Sequence, residues 1–298
     1  MRCLLLGKNG QLGYSFSESL PNHFETISLG RSELDVLDLV RLREVIRNIK
    51  PELLINTTAY TAVDQAETEV DIATKVNALA PRIMAEEMEN LGGCFIHFST
   101  DYVFDGYSPQ ANRETDLPNP LNVYGASKLY GEYLIKQANS RFLIFRTSWV
   151  YSKNHDNFVT KVISWAQKNS KIKIVSDQIG NPTSARELAG LVTKVLLGAE
   201  GHLSNYLMSV RGIYHCAGKG AVSRYELAKE ILKIASASSQ ETTKVLPVSS
   251  GEFPTKAKRP LNSSLSVNLF GETFGVEMPP WQESLRRDFG YPDLLETK

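Results

Sequence analysis

The stretch Leu4-Leu5-Leu6-Gly7-Lys8-Asn9-Gly10-Gln11-Leu12-Gly13 decides the fold. A short, wholly apolar run without polar alternation is what a strand buried on both faces requires. It breaks into three glycines spaced by two residues, and then into a helical pattern over Gln11–Leu20. Glycines permit a tight turn and let backbone N–H groups close on a pyrophosphate, whose charge is favoured at a helix N-terminus. Gly7, Gly10, Gln11, Leu12 and Gly13 are therefore the first candidate cofactor contacts. A glycine triplet alone is weak evidence, because a plain tight turn uses the same residues. The strand before it and the helix after it give it weight.

Working outward, further strands are expected at Glu25–Leu29, Leu53–Thr57, Phe95–Ser99 and Phe142–Thr147, with helices near Leu39–Ile49, Ile72–Leu91 and Tyr124–Gln137. That alternation predicts an α/β fold, a Rossmann-type doubly wound parallel sheet with ligands along the C-terminal strand edge. From about residue 150 the alternation loosens. Helical patterns at Asn157–Gln167, Ala185–Leu197 and Arg224–Ala235 are interrupted by strand-like Ile172–Val175, Ile213–Cys216 and Val245–Val248. The expected organisation is a dinucleotide-binding domain over 1–150, with some later segments returning to it. A smaller, discontinuous α/β cap over 151–298 would build the substrate side.

Bulk properties narrow the function classes. The 298 residues carry 33 basic and 33 acidic side chains, so no global field favours nucleic acid or an acidic membrane. No apolar run approaches the roughly 20 residues of a membrane helix, and the first apolar run is too short for a signal sequence, so a cytoplasmic protein is expected. Cys3, Cys94 and Cys216 are odd in number, widely spaced and set in apolar segments, which reads as reduced core thiols. The five histidines form no metal-ligand spacing, and His97 reads as a satisfied core residue. No metal is expected, and neither a nucleophile elbow nor a phosphoryl-transfer loop is present.

The second strand ends in Gly30-Arg31-Ser32. A carboxylate there repels a 2′-phosphate, whereas an arginine accepts one, so Arg31 favours NADPH with NADH as the alternative. The bland reading of Arg31 is a solvated loop cation. Asp38-Leu39 would meet the adenine, or Asp38 would cap the following helix, and both roles are compatible. Thr58-Ala59-Tyr60, ending the third strand, should pass close to the cofactor ribose and nicotinamide.

Tyr124-Gly125-Ala126-Ser127-Lys128 puts a phenol and an ammonium on one helix face. A free phenol titrates near 10, too high for an efficient proton shuttle, and an adjacent lysine, aided by the positive nicotinamide ring of an oxidised cofactor, is expected to bring it down by about 3 units. The pair Tyr225 and Lys229 has identical spacing, so spacing alone does not diagnose chemistry. Only Tyr124 follows a strand ending in Ser99-Thr100-Asp101, whose Thr100 hydroxyl is placed to bond a carbonyl or the phenol.

Together with the glycine loop, the stretches Asn56–Asp64, Ser99–Gly106, Pro120–Gly125, Phe145–Tyr151, Asp177–Thr183 and Arg259–Leu265 resemble the dTDP-4-dehydrorhamnose reductases, a family of extended short-chain dehydrogenases. The resemblance implies hydride transfer from NAD(P)H to C4 of a dTDP-linked 4-keto-6-deoxysugar, giving dTDP-L-rhamnose for surface polysaccharide. It implies Thr100, Tyr124 and Lys128 as the catalytic set, with Tyr124 the proton donor and Lys128 also holding the nicotinamide ribose. Asp101, Tyr102 and Trp149 would line the sugar pocket, and Arg259 would meet the diphosphate, unless it anchors its loop by a salt bridge. Some members dimerise through magnesium held by glutamates. Ser15 and Arg186 stand at those positions here, so a monomer or a homodimer without a metal bridge is expected. Two alternatives remain open at this point. One is the same chemistry on another nucleotide 4-ketosugar. The other is a non-catalytic regulatory subunit of methionine adenosyltransferase, against which Thr100 and Trp149 weigh.

Overall fold

Arg2–Leu6 forms strand β1, with Cys3 through Leu6 buried, and it gives way to Gly7 as the apolar run ends. The computed structural model describes residues 1–20, 23–199, 202–235 and 243–290. After β1 come α1 (Gln11–Ser19), β2 (Glu25–Leu29), α2 (Leu39–Ile49) and β3 (Leu53–Asn56). Then follow α3 (Val63–Ala66), α4 (Val70–Thr74), α5 (Ala80–Asn90), β4 (Cys94–Thr100), α6 (Val123–Ala138) and β5 (Phe142–Thr147). The later chain adds β6 (Val150–Tyr151), α7 (Phe158–Lys168), β7 (Lys171–Val175), β8 (Ile179–Gly180), β9 (Thr183–Ser184) and α8 (Ala185–Leu197). It continues through α9 (Leu203–Ser209), β10 (Gly212–His215), β11 (Val222–Ser223), α10 (Arg224–Ala235), β12 (Lys244–Val248), α11 (Asn268–Phe274) and α12 (Trp281–Phe289).

The described residues form a six-stranded sheet in the order β10-β5-β4-β3-β1-β2, with every neighbouring pair parallel. The chain leaves β1 for β2 on one side and returns to β3 on the other. The strand C-termini therefore open a crevice between β1 and β3, where Leu6 pairs with Asn56. Side chains alternate between the two sheet faces. Cys3, Leu5, Leu53, Ile55, Ile96 and Phe145 pack with α1, α8 and α9, while Leu4, Leu6, Leu54, Phe95 and Ile144 pack with α2 and α5. The three thiols are free and buried within this framework.

The strand-like segment near Ile213 does not stay with the later chain: β10 runs beside β5 at the sheet edge. Helix α8 likewise packs on the main core through Leu188, Val192 and Leu196. A third core lies elsewhere, built from Val159 and Val162 of α7, Ile172 and Ile174 of β7, Leu227 and Ile231 of α10, and Trp281 and Leu285 of α12. Positions 291–298 of the expected second domain lie outside the described residues.

The single helix expected over Ile72–Leu91 is interrupted. Lys75–Leu79 adopts a π-helical turn between α4 and α5. That widening turns the buried Asn77 toward Tyr60, whose N–H it accepts at 2.8 Å, and toward the Ser127 hydroxyl at 3.0 Å. One extra residue in a turn is thus used to bind two segments of the crevice.

Candidate active site

Gly7 sits at φ +93°, and a Cβ on Gly13 would lie 2.0 Å from the Gly7 carbonyl oxygen. Both positions require glycine, one for its backbone conformation and the other for close approach. Gly10 caps α1. The loop opens onto a cavity of about 400 Å³ lined by Gly7, Asn9, Gly10, Gly30, Arg31, Leu34–Leu37, Thr58, Ala59 and Tyr60. A cradle of backbone that no Cβ would fit, at a helix N-terminus, suits a dinucleotide pyrophosphate. Leu12 faces the core instead. Gln11 donates to the Val150 carbonyl at 3.3 Å and accepts from Ser152 and Asn157, tying the loop to the later chain.

Arg31 stands at the rim of this cavity, largely exposed and 3.3 Å from Asp35. Asp38 caps α2 by accepting the Arg41 N–H at 2.9 Å, and Leu39 packs on the sheet, so the cavity wall at this point is Leu34–Leu37.

The helix carrying the phenol is placed by its own sequence. Asn122 caps α6 by accepting the Gly125 N–H at 2.8 Å and donates to the Lys258 carbonyl at 2.9 Å. A Cβ on Gly125 would lie 2.1 Å from the Tyr102 carbonyl oxygen, so only glycine lets α6 press against the turn after β4. That contact brings Thr100 close enough to Tyr124 to favour its ionised form and stacks the Tyr102 and Tyr124 rings edge to face, 5.8 Å between centres. Thr100, Tyr124 and Lys128 all gather at the C-terminal edge of β4.

Their electrostatics differ from the sequence expectation. Desolvation raises the Tyr124 phenol, and the Thr100 hydroxyl only partly opposes it. Lys128 is buried, and its Nζ donates to the Phe98 carbonyl at 2.6 Å and lies 3.1 Å from His97 Nε2. Lys128 makes no hydrogen bond to the phenol, and its charge is not among the influences that shift Tyr124. Burial instead brings the ammonium itself down to about 8. The Tyr225–Lys229 pair, expected as helix surface, is so only at Lys229, which is exposed and bonded to Glu226 at 3.1 Å, whereas Tyr225 is partly buried against the third core.

Asp101 is buried and engaged with three hydroxyls: Thr100 at 3.1 Å, Ser148 at 2.9 Å and Ser263. It thereby pins three motif segments together, and burial raises its carboxyl. Trp149 adopts φ 45°, a strained conformation for a bulky residue. A Cβ on Gly180 would lie 2.5 Å from its indole. Over that indole lies Arg224, which the sequence marks only as the start of a helix. Nothing local in the sequence marks it, because the contact joins residues 75 positions apart. Arg259 donates to Asp64 at 2.8 Å, and Asp64 also accepts the Ala257 N–H, so this arginine does anchor its loop. It also lines a cavity of about 360 Å³ with Tyr107, Gln178, Lys256 and Lys258.

Ser15 donates to the Gln11 carbonyl at 3.2 Å, and Arg186 pairs with Asp288 at 2.9 Å. No group of three or more potential His, Cys, Asp or Glu ligands is present among the described residues.

A family model described as the RmlD substrate binding domain matches residues 1–289. The chain is 39% identical over 298 residues to the dTDP-4-dehydrorhamnose reductase of Sinorhizobium fredii, covering 100% of this chain and 99% of that one. The chain belongs to the dTDP-4-dehydrorhamnose reductase family. Another reductase of that name, from Burkholderia thailandensis, is 35% identical over 291 residues, covering 95% of this chain and 96% of its own. The crystal structure of the Bacillus anthracis dTDP-4-dehydrorhamnose reductase in complex with NADP superposes with a TM-score of 0.88 at 36% identity, covering 97% of this chain and 98% of that one. Membership of the dTDP-4-dehydrorhamnose reductase family accounts for the α/β architecture and for the glycine cradle. No helix among the described residues is long and apolar enough to cross a membrane.

Proposed function

We propose that this chain reduces the C4 ketone of dTDP-4-dehydro-L-rhamnose to the alcohol of dTDP-L-rhamnose, using NADPH. The observation that carries this reading is the placement of Tyr124 and Lys128 on α6 against the end of β4, which Thr100 closes, in the same parallel sheet whose β1 runs into the glycine cradle. The family match and the NADP carried by the Bacillus anthracis relative support it.

When bound, the nicotinamide supplies the hydride. Gly7, Gly10 and Gly13 would hold its pyrophosphate, Arg31 its 2′-phosphate, and Thr58, Ala59 and Tyr60 its inner ribose side. Tyr124 gives its proton to the ketone oxygen as charge develops there. Its raised pKa keeps the phenol protonated at neutral pH, which suits a donor in the reductive direction. The Thr100 hydroxyl aligns that phenol, and Asp101 holds the threonine through its own hydrogen bond. Trp149, Tyr102 and Arg224 form the sugar wall, with Arg259, Lys256 and Lys258 toward the diphosphate. In this reading residues 1–150, joined by α8, α9, β10 and α11, carry the cofactor. The third core, around α7, α10 and α12, is the substrate cap.

The test is turnover against a panel of nucleotide 4-keto-6-deoxysugars with the product's C4 configuration determined. The proposal expects dTDP-L-rhamnose as the preferred product. Preference for a talose or fucose isomer would reassign the substrate while leaving the chemistry in place.

A further inference from the structure

Asn56, ending β3, is fully buried, and its side-chain oxygen is committed. It accepts the Thr58 backbone N–H at 3.0 Å and the Thr58 hydroxyl at 2.6 Å. A backbone N–H only donates, so this end of the amide is the oxygen and the other end is the NH2 group. That NH2 group faces His97 Nδ1 at 3.0 Å. His97 is fully buried too, and burial, reinforced by the Lys128 charge, holds it well below its ordinary pKa. A neutral imidazole carries one N–H. Since Nδ1 accepts from Asn56, the proton lies on Nε2, which points at Lys128 Nζ, 3.1 Å away. An ammonium has three donors and no acceptor, so it has no bond to make there. A neutral amine offers a lone pair and does.

We propose that the Thr58–Asn56–His97 chain couples the charge of Lys128 to its position: the neutral amine docks on His97, and the ammonium is released from it while keeping the Phe98 carbonyl. His97 is a positioning residue in this arrangement. The inference rests on reading Lys128 as part of the catalytic set, and it makes that lysine a group that titrates during function instead of a fixed charge.

The surroundings favour such sensitivity. On α6, Glu132 lies one turn beyond Lys128 and its charge works against the burial of the ammonium, but it is itself held by Arg146 of β5 at 2.9 and 2.7 Å and by the Ser99 hydroxyl of β4. Tyr124, one turn before, is neutral. Asn56 of β3 and Phe98 of β4 contribute dipoles only, and Asn77 of the π-helical turn is bonded to Ser127. Burial already places the ammonium near 8, where one contact decides which form prevails.

Nitrogen-15 NMR of protein labelled at its histidine rings, followed from neutral into alkaline pH, tests this directly. The His97 signals are assigned by their loss in His97→Gln. Nδ1 is expected in the range of an unprotonated ring nitrogen and Nε2 in that of a protonated one. The Nε2 signal should move as Lys128 titrates, and that response should vanish in Lys128→Met. A proton on Nδ1, or an imidazolium, overturns the proposal. These spectra need no turnover, so they stand apart from the catalytic role of Lys128, which the loss or retention of reduction in Lys128→Met decides. In His97→Gln the amide oxygen can face the ammonium, so the alkaline limb of kcat is expected to move up by about one unit. A lowered Tm with an unmoved limb makes His97 a packing residue and refutes the coupling.

Discussion

The guanidinium of Arg224 lies over the indole of Trp149, 3.6 Å from the ring centre, and 4.6 Å from the centre of Phe158. Among the described residues its side chain makes no ion pair or hydrogen bond, and burial brings it down to about 10. A half-buried cation supported by two aromatic faces, beside Asp101 and Tyr102, has its donors left for a ligand. Arg224→Leu is expected to raise KM for the sugar nucleotide roughly ten- to a hundredfold, the range for a hydrogen bond to a charged group, with a smaller change in kcat. Steady-state kinetics in both substrates checks this. An unchanged KM assigns Arg224 to support of Trp149 alone.

Gly13→Ala forces a methyl group to within 2.0 Å of the Gly7 carbonyl oxygen, a backbone atom that has nowhere to go. Overpacking of this kind costs about 1–3 kcal/mol. Because the displaced backbone is the cradle we assign to the pyrophosphate, NADPH affinity should fall more than stability does. Fluorescence titration with NADPH and a thermal melt of the same sample separate the two effects.

Lys128 offers a pH test with a definite sign. Its folded-state pKa of about 8 lies below the 10.5 of an unperturbed lysine, so between those values the unfolded chain binds more protons. Stability therefore rises with pH across that window, and below it the full penalty of a buried ammonium persists. Relative to Lys128→Met, the wild type should gain about 3 kcal/mol on going from the lower value to the upper. Denaturant unfolding of both proteins at several pH values measures the difference. A flat difference contradicts the burial argument.

Much of this was legible in the chain because it depends on local pattern. The wholly apolar strands announced a parallel sheet, and the glycine spacing announced a cradle, since each is dictated by residues adjacent in sequence. What escaped depends on residues far apart. The strained backbone of Trp149 is held by Gly180 and Arg224, and the edge strand Gly212–His215 is claimed by β5 across a long connection. The π-helical turn at Lys75–Leu79 has no signature of its own, because it exists to deliver Asn77 to Tyr60 and Ser127. The Tyr–Lys spacing correctly placed two groups on one helix face, but spacing carries no information on desolvation. It therefore showed neither the burial that raises the phenol nor the approach of the lysine to His97.

The central claim is that Tyr124 delivers the proton in an NADPH-dependent reduction of dTDP-4-dehydrorhamnose. Its most direct test is kcat of Tyr124→Phe measured alongside the NADPH Kd of the same variant. Loss of a positioned general acid predicts a fall of about 10² to 10⁴ in kcat with NADPH binding retained. A variant that reduces the sugar at near the wild-type rate would contradict the account.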